Sequence, residues 1–266
     1  MSQKITIISP NKNSSATINK GELINYIKNN EELIHQKNEP GWRSSDTEMF
    51  PIIGPTIKNN YEISTPKGKC FQEQHGLSRE LEYIKTKETQ NSTEFTKIYK
   101  KNTQIKNSKY PTNSTQEFVS WPYNFKITKT FELNNKSLII KFNIETEKEM
   151  PYMFGYHPAF KLSGNNSEYL QTKNKNITIL NILDKGHNAY PILNCKEINL
   201  IKQNKQNIKI QTQGFNNIMM WTMVSNMLCI EPITQYPELI NQKYSEKNMR
   251  ISSGKETFSI EITPYN

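Results

Sequence analysis

The chain has 266 residues, a formal net charge of +9, and 34% hydrophobic and 10% aromatic residues. That length fits one large all-β domain or two small ones, and aromatic groups recurring along the whole chain exclude a disordered one. The charge is not a nucleic-acid footprint, because lysines are scattered among Asn, Gln, Ser and Thr and the arginines are Arg43, Arg79 and Arg250 alone, whereas phosphate recognition favours clustered Arg.

Ile5–Ile8 begins as a strand, Asn11–Ser15 is a turn and Ala16–Ile18 reads as the return strand of a hairpin. Gly21–Ile27 is compatible with a short helix or a strand, and Pro40-Gly41 is a turn. Residues 48–55 hold two prolines and a glycine among large apolar side chains, which suits a loop flooring a pocket better than a helix interior or central strand. Short strands are then expected at 61–65, 81–85, 92–99, 125–133, 137–145, 152–156, 177–183, 208–212, 218–222, 227–231 and 257–263. The alternation in Phe125–Phe131 and Leu138–Ile144 is that of half-buried antiparallel strands. About a dozen strands with turns between them, without sustained helical periodicity, predict an all-β sandwich. Neither a fixed-period repeat nor a composition shift divides the chain, so a single domain over 1–266 is expected.

Cys70, Cys195 and Cys229 are far apart and form no CxxC pair, so neither a disulfide framework nor a zinc knuckle is expected. No run reaches the roughly 18 apolar residues of a membrane span, and the N-terminus lacks the apolar stretch of a secretory leader. The expectation is a cytoplasmic protein without nucleic-acid or membrane partners, monomeric or homodimeric.

Three stretches place a titratable group among rigid neighbours: Gln74-His75-Gly76-Leu77-Ser78-Arg79, Gly155-Tyr156-His157-Pro158 and Leu228-Cys229-Ile230-Glu231-Pro232. Pro158 stiffens the backbone around His157 and favours extended geometry there. Glu231 ends an apolar strand, where desolvation raises a carboxyl pKa unless cations or donors compensate, and Pro232 is expected to terminate the pairing after it. Two imidazoles and one carboxylate make a general acid–base set. They also match a metal triad in kind, but without an HxH or HxxxH pair a metal is not expected. His35 and His187, in polar surroundings, read as surface residues.

Four ordered motifs resemble the aldose 1-epimerase (galactose mutarotase-like) family, in particular its shorter bacterial branch. They are Met49-Phe50-Pro51-Ile52-Ile53-Gly54, His75-Gly76-Leu77-Ser78-Arg79, Gly155-Tyr156-His157-Pro158-Ala159-Phe160 and Cys229-Ile230-Glu231-Pro232. Trp121-Pro122-Tyr123 and Trp221 fit the same order. The resemblance implies a large antiparallel β-supersandwich with a sugar on its concave face, and interconversion of the α and β anomers of an aldohexose without metal or cofactor. It implies Glu231 as the base at the C1 hydroxyl, His157 as the acid at the ring oxygen, and His75 on the ring oxygen or a neighbouring hydroxyl. Trp42, Phe160, Trp221 and Tyr236 are expected to supply apolar faces for the sugar. Pro55 stands where many relatives carry a sugar-binding Arg, which leaves Arg79 or Arg43 to take that part. The family's substrate-binding Asp has no clear counterpart, since Asp184 is the one Asp between His157 and Glu231. The alternatives are a hexose 6-phosphate substrate, or a non-catalytic sugar-binding or sensing protein on the same fold.

Overall fold

Two antiparallel sheets face one another across an aromatic core in the computed structural model, which describes residues 4–266. Residues 1–3, the start of the stretch read as lacking a leader, lie outside the described residues. The larger sheet has nine strands, and Ser92–Tyr99, Phe125–Leu133, Leu138–Thr146, Lys255–Tyr265 and Asn207–Gln213 are its centre. Period-2 burial along Phe125–Leu133 and Leu138–Thr146 turns Ile127, Phe131, Ile140 and Phe142 inward. The second sheet has six strands and is built on Met227–Ile233, which pairs with Asn217–Trp221 on one side and with Gly155–Tyr156 and Ala159–Lys161 on the other. Phe142 and Phe258 of the first sheet meet Phe154 beside the second, at ring-centroid distances of 5.1 and 4.7 Å. The fold is thus the β-sandwich expected, and the Gly21–Ile27 ambiguity resolves as the strand Glu22–Lys28 in a four-stranded N-terminal sheet.

Several local expectations need correction. Residues 177–183 are not one strand: Asn176–Thr178 ends in a helical turn, Ile179–Leu183, because Thr178 and Asn181 form a reciprocal capping box. The strand expected at 81–85 runs Ile84–Glu88, since Leu81 N still donates to Ser78 O at the end of the 3-10 turn Leu77–Glu80. Glu48–Met49 is an edge strand on Gly155–Tyr156 rather than part of a loop. His35 is fully buried, with its backbone N donating to Ala159 O (2.9 Å) and its Nε2 to Trp42 O (3.2 Å).

The most informative correction concerns Pro232. The strand does not stop there but continues to Ile233, with Pro232 opposite Ile218. Ile230 N donates to Pro158 O (3.3 Å), and Pro232, two residues on, presents its nitrogen to the same side. On that side the pairing is interrupted between Gly155–Tyr156 and Ala159–Lys161. A residue without an N–H is tolerated where the ladder is already broken. His157 and Pro158 occupy the break.

Candidate active site

The break in the ladder brings His157 beside Glu231. Each is almost fully buried, and His157 Nε2 lies 3.4 Å from Glu231 Oε1. Burial pushes the Glu231 carboxyl well above the usual carboxylate range. Burial, followed by the charge of Arg79, pulls the His157 imidazole down to about 3. Both groups are thereby favoured in their neutral forms, and a neutral carboxyl beside a neutral imidazole holds one transferable proton between them. Glu231 Oε2 and His157 Nδ1 make no hydrogen bond among the described residues.

His75 reaches the pair from the loop behind Met49–Gly54. Its backbone is left-handed (φ 74°), and its N and Nδ1 lie 2.8 and 3.0 Å from Ile53 O. A carbonyl only accepts, so the ring proton sits on Nδ1 and Nε2 is an acceptor. Burial and the neighbouring His157 keep this imidazole well below its usual pKa. Gly76 is required where it stands: a Cβ there would lie 2.2 Å from Phe50 O, at a φ of 70°. The His75 and His157 rings meet edge to face at 5.3 Å, and Trp42 stacks on His157 at 4.4 Å with a 30° interplanar angle.

A cavity of about 450 Å³ opens over these groups. His75, His157, Glu231, Trp42, Trp221 and Tyr236 all line it, with Gly54 and Pro55 on one wall. Tyr236 is held there by its hydroxyl donating to Ala189 O (3.1 Å). Other site expectations fall elsewhere. Phe160 is fully buried in the main core, because it occupies the strand position opposite Leu228. Arg79 points to the surface, where its Nε is 3.7 Å from Glu80, and Arg43 is exposed; neither lines the cavity. Among the described residues no Lys or Arg does, so the part left open by Pro55 is not taken by either arginine. Asp184 is exposed at the helix end. His187, read as a surface residue, is exposed but stands on the cavity rim with Asn188 and Glu238. Rim residues on turns carry no periodicity by which a sequence could flag them.

Behind the site lies a buried charge cluster that sequence reasoning missed. Lys129 Nζ is 2.9 Å from Asp46 and 2.7 Å from Glu48, and Lys97 Nζ is 3.1 Å from Glu48. The Tyr156 hydroxyl donates to Asp46 (2.6 Å), and Lys97 donates to Ser78 O (2.8 Å). Between the two acids, Thr47 exchanges backbone hydrogen bonds with His157: His157 N to Thr47 O at 2.9 Å and the reverse at 3.3 Å. The cluster therefore anchors the strand before His157, and through Ser78 the turn after His75.

A sequence model of the aldose 1-epimerase family matches residues 3–219, a span that holds His75 and His157 and ends before Glu231. Protein LacX of Lactococcus lactis, in its chromosomal and plasmid forms, is 29% identical over 136 residues. That alignment covers 48% of this chain and 40% of LacX, less than half the length of these curated relatives. Among solved structures, a galactose mutarotase-like protein from Lactobacillus casei superposes with a TM-score of 0.79 over 98% of this chain and 100% of its own, at 15% identity. A galactose mutarotase related enzyme from Lactobacillus acidophilus gives 0.73 over 99% and 98%, at 17% identity. At such identities the likeness is one of fold.

Proposed function

We propose that this chain, which belongs to the aldose 1-epimerase family, interconverts the α and β anomers of an uncharged aldohexose. The observation that carries this reading is the buried Glu231–His157 pair, 3.4 Å apart on the floor of a cavity of about 450 Å³. That volume lies within the roughly 300–1,000 Å³ of small-ligand sites. Binding alone needs no acid and base in contact, whereas anomer exchange needs both at once.

In the proposed cycle the Glu231 carboxylate takes the proton of the C1 hydroxyl, and the C1–O5 bond breaks as the C1 carbonyl forms. His157 delivers a proton to O5. Rotation about C1–C2 presents the other carbonyl face, and the reverse transfers close the ring. The form with a carboxylate and an imidazolium has the same proton count as the neutral pair that burial favours, so the cycle starts by moving a proton within the pair. With its proton on Nδ1, His75 accepts from a sugar hydroxyl through Nε2 and does not donate to the ring oxygen. Trp42 and Trp221 flank His157 and offer apolar surface to sugar C–H groups.

The cavity lining without Lys or Arg favours a neutral sugar. A hexose phosphate is the second reading, on one observation: an adjoining hollow that shares Pro55, Tyr236 and Glu238 with the cavity also presents Lys58 and Lys185. Polarimetry on freshly dissolved α-D-glucose, α-D-galactose and α-D-glucose 6-phosphate tests both. Glu231→Gln and His157→Asn are each expected to lower the catalysed rate by about 10²–10⁴-fold. Sugar binding without acceleration by the native chain would replace the enzyme reading with a carbohydrate-binding one.

A further inference from the structure

The Met227–Ile233 strand brings a third group to the acid–base pair. Residues two apart on a strand leave from the same face, so the Cys229 thiol and the Glu231 carboxyl emerge side by side. Across the ladder Cys229 faces Ala159 on one neighbour and Trp221 on the other, which sets it next to His157. One ligand atom from each of His157, Cys229 and Glu231 lies within 4.8 Å of the other two, and all three residues are buried. Glu231 Oε2, on a side chain 2% exposed, has no hydrogen-bond partner among the described residues. We infer that these three side chains form a binding site for one thiophilic divalent cation of the Zn²⁺ class.

The ligand types and the spacing of the His157–Glu231 pair fit that class. Ligands at about 2.0–2.1 Å from a tetrahedral ion stand about 3.3 Å apart, and His157 Nε2 and Glu231 Oε1 are 3.4 Å apart. Imidazole, thiolate and carboxylate are all zinc ligands, and three of them leave a fourth position, here on the side of the cavity that His157 and Glu231 line. Ca²⁺ and Mg²⁺ are poor occupants, because they demand six or more ligands, nearly all oxygen. Charge also closes: the thiol and carboxyl protons leave to solvent, and the two anions with a neutral imidazole balance the dication. The bound ion holds the atoms that would otherwise move protons, so it blocks the site reversibly. That last consequence rests on the proposed mutarotase reading; the metal site itself does not.

Co²⁺ added to the full chain tests the site by absorption, with Zn²⁺ binding followed by calorimetry. The expected result is one ion per chain and a thiolate-to-cobalt charge-transfer band that is absent from Cys229→Ser. Zn²⁺ affinity in that variant should fall by at least the ~10-fold that loss of even an outer-shell partner costs. No charge-transfer band at saturating Co²⁺, or a band unchanged in Cys229→Ser and so owed to Cys70 or Cys195, overturns the inference. If Cys229→Ser does not fold, His157→Asn decides: a tenfold or greater loss of Zn²⁺ affinity supports the site, and unchanged affinity removes it. Polarimetry with Zn²⁺, then with a chelator, reads the blockade separately. A chain inactive on sugars but showing the cobalt band would keep the metal site and reject the catalytic reading.

Discussion

Two groups of buried ionisable side chains sit back to back in this sandwich, and they are treated in opposite ways. In the cluster behind the site, two acids and two lysines pair within 3.1 Å and every charge has an opposite neighbour. At the cavity, Glu231 and His157 have each other, aromatic rings and open space, and no lysine or arginine lines the cavity among the described residues. Pairing fixes a geometry. The neutral Glu231–His157 pair leaves a proton free to move, which suits chemistry and contributes little to stability. The first region holds the backbone so that the second need not hold itself.

The largest break in that contrast should come from Lys129→Met. It leaves Asp46 and Glu48 buried against each other and is expected to cost about 3–5 kcal/mol of unfolding free energy in denaturant titrations. Glu231→Gln, which removes a buried carboxyl without an opposite charge, should keep or raise the denaturation midpoint while removing activity. Equal destabilisation by both variants would erase the distinction.

The acids of the cluster sharpen it through pH. Burial raises the Glu48 carboxyl, but Lys129 and Lys97 outweigh burial and hold it at about 2. Its contribution is therefore complete above its ordinary value of 4.5 and lost as pH falls through about 2. Burial, less fully offset by Lys129, lifts Asp46 to about 6, so its contribution is complete below 3.8 and lost as pH rises through about 6. Stability measured against pH should lose its acid-side slope in Glu48→Gln and its opposite slope between 3.8 and about 6 in Asp46→Asn.

Smaller effects belong to the edges of the site. Trp42→Ala removes the ring stacked on His157, and an aromatic pair of this kind is worth about 0.5–1.5 kcal/mol, or roughly 2–10-fold in kcat/KM. The smallest is Arg43→Ala. Exposed and away from the cavity, it should change stability by less than about 0.5 kcal/mol and leave KM for the sugar unaltered. A clear rise in KM would restore Arg43 to sugar binding.

The sequence made the three titratable motifs legible because each sits against a residue with a backbone constraint: Gly76, Pro158 and Pro232. Strand alternation likewise placed most of the sandwich. What went unread was the charge cluster, although the signal was present. In Phe125–Leu133 the inward positions 125, 127, 129, 131 and 133 include Lys129, and in Ser92–Tyr99 the inward positions 93, 95, 97 and 99 include Lys97. A lysine in phase with an apolar face asks for a buried acid, but Glu48 stands on a two-residue strand and Asp46 in the loop before it, too short a stretch to show periodicity. Phe160 and Arg79 lie away from the cavity for a related reason: a motif fixes neighbours along the chain, while the side Phe160 faces depends on its partner across the ladder and the side Arg79 faces on the 3-10 turn that carries it.

Pro158 and Pro232 lie at opposite corners of the interruption in the pairing around Met227–Ile233, Pro158 beside Ile230 and Pro232 one residue past Glu231. Neither imino nitrogen carries a hydrogen, so the main chain at these two points has nothing to donate to the carboxylate or the imidazole between them. An approaching hydroxyl therefore meets no main-chain N–H of Pro158 or Pro232 competing for the carboxylate.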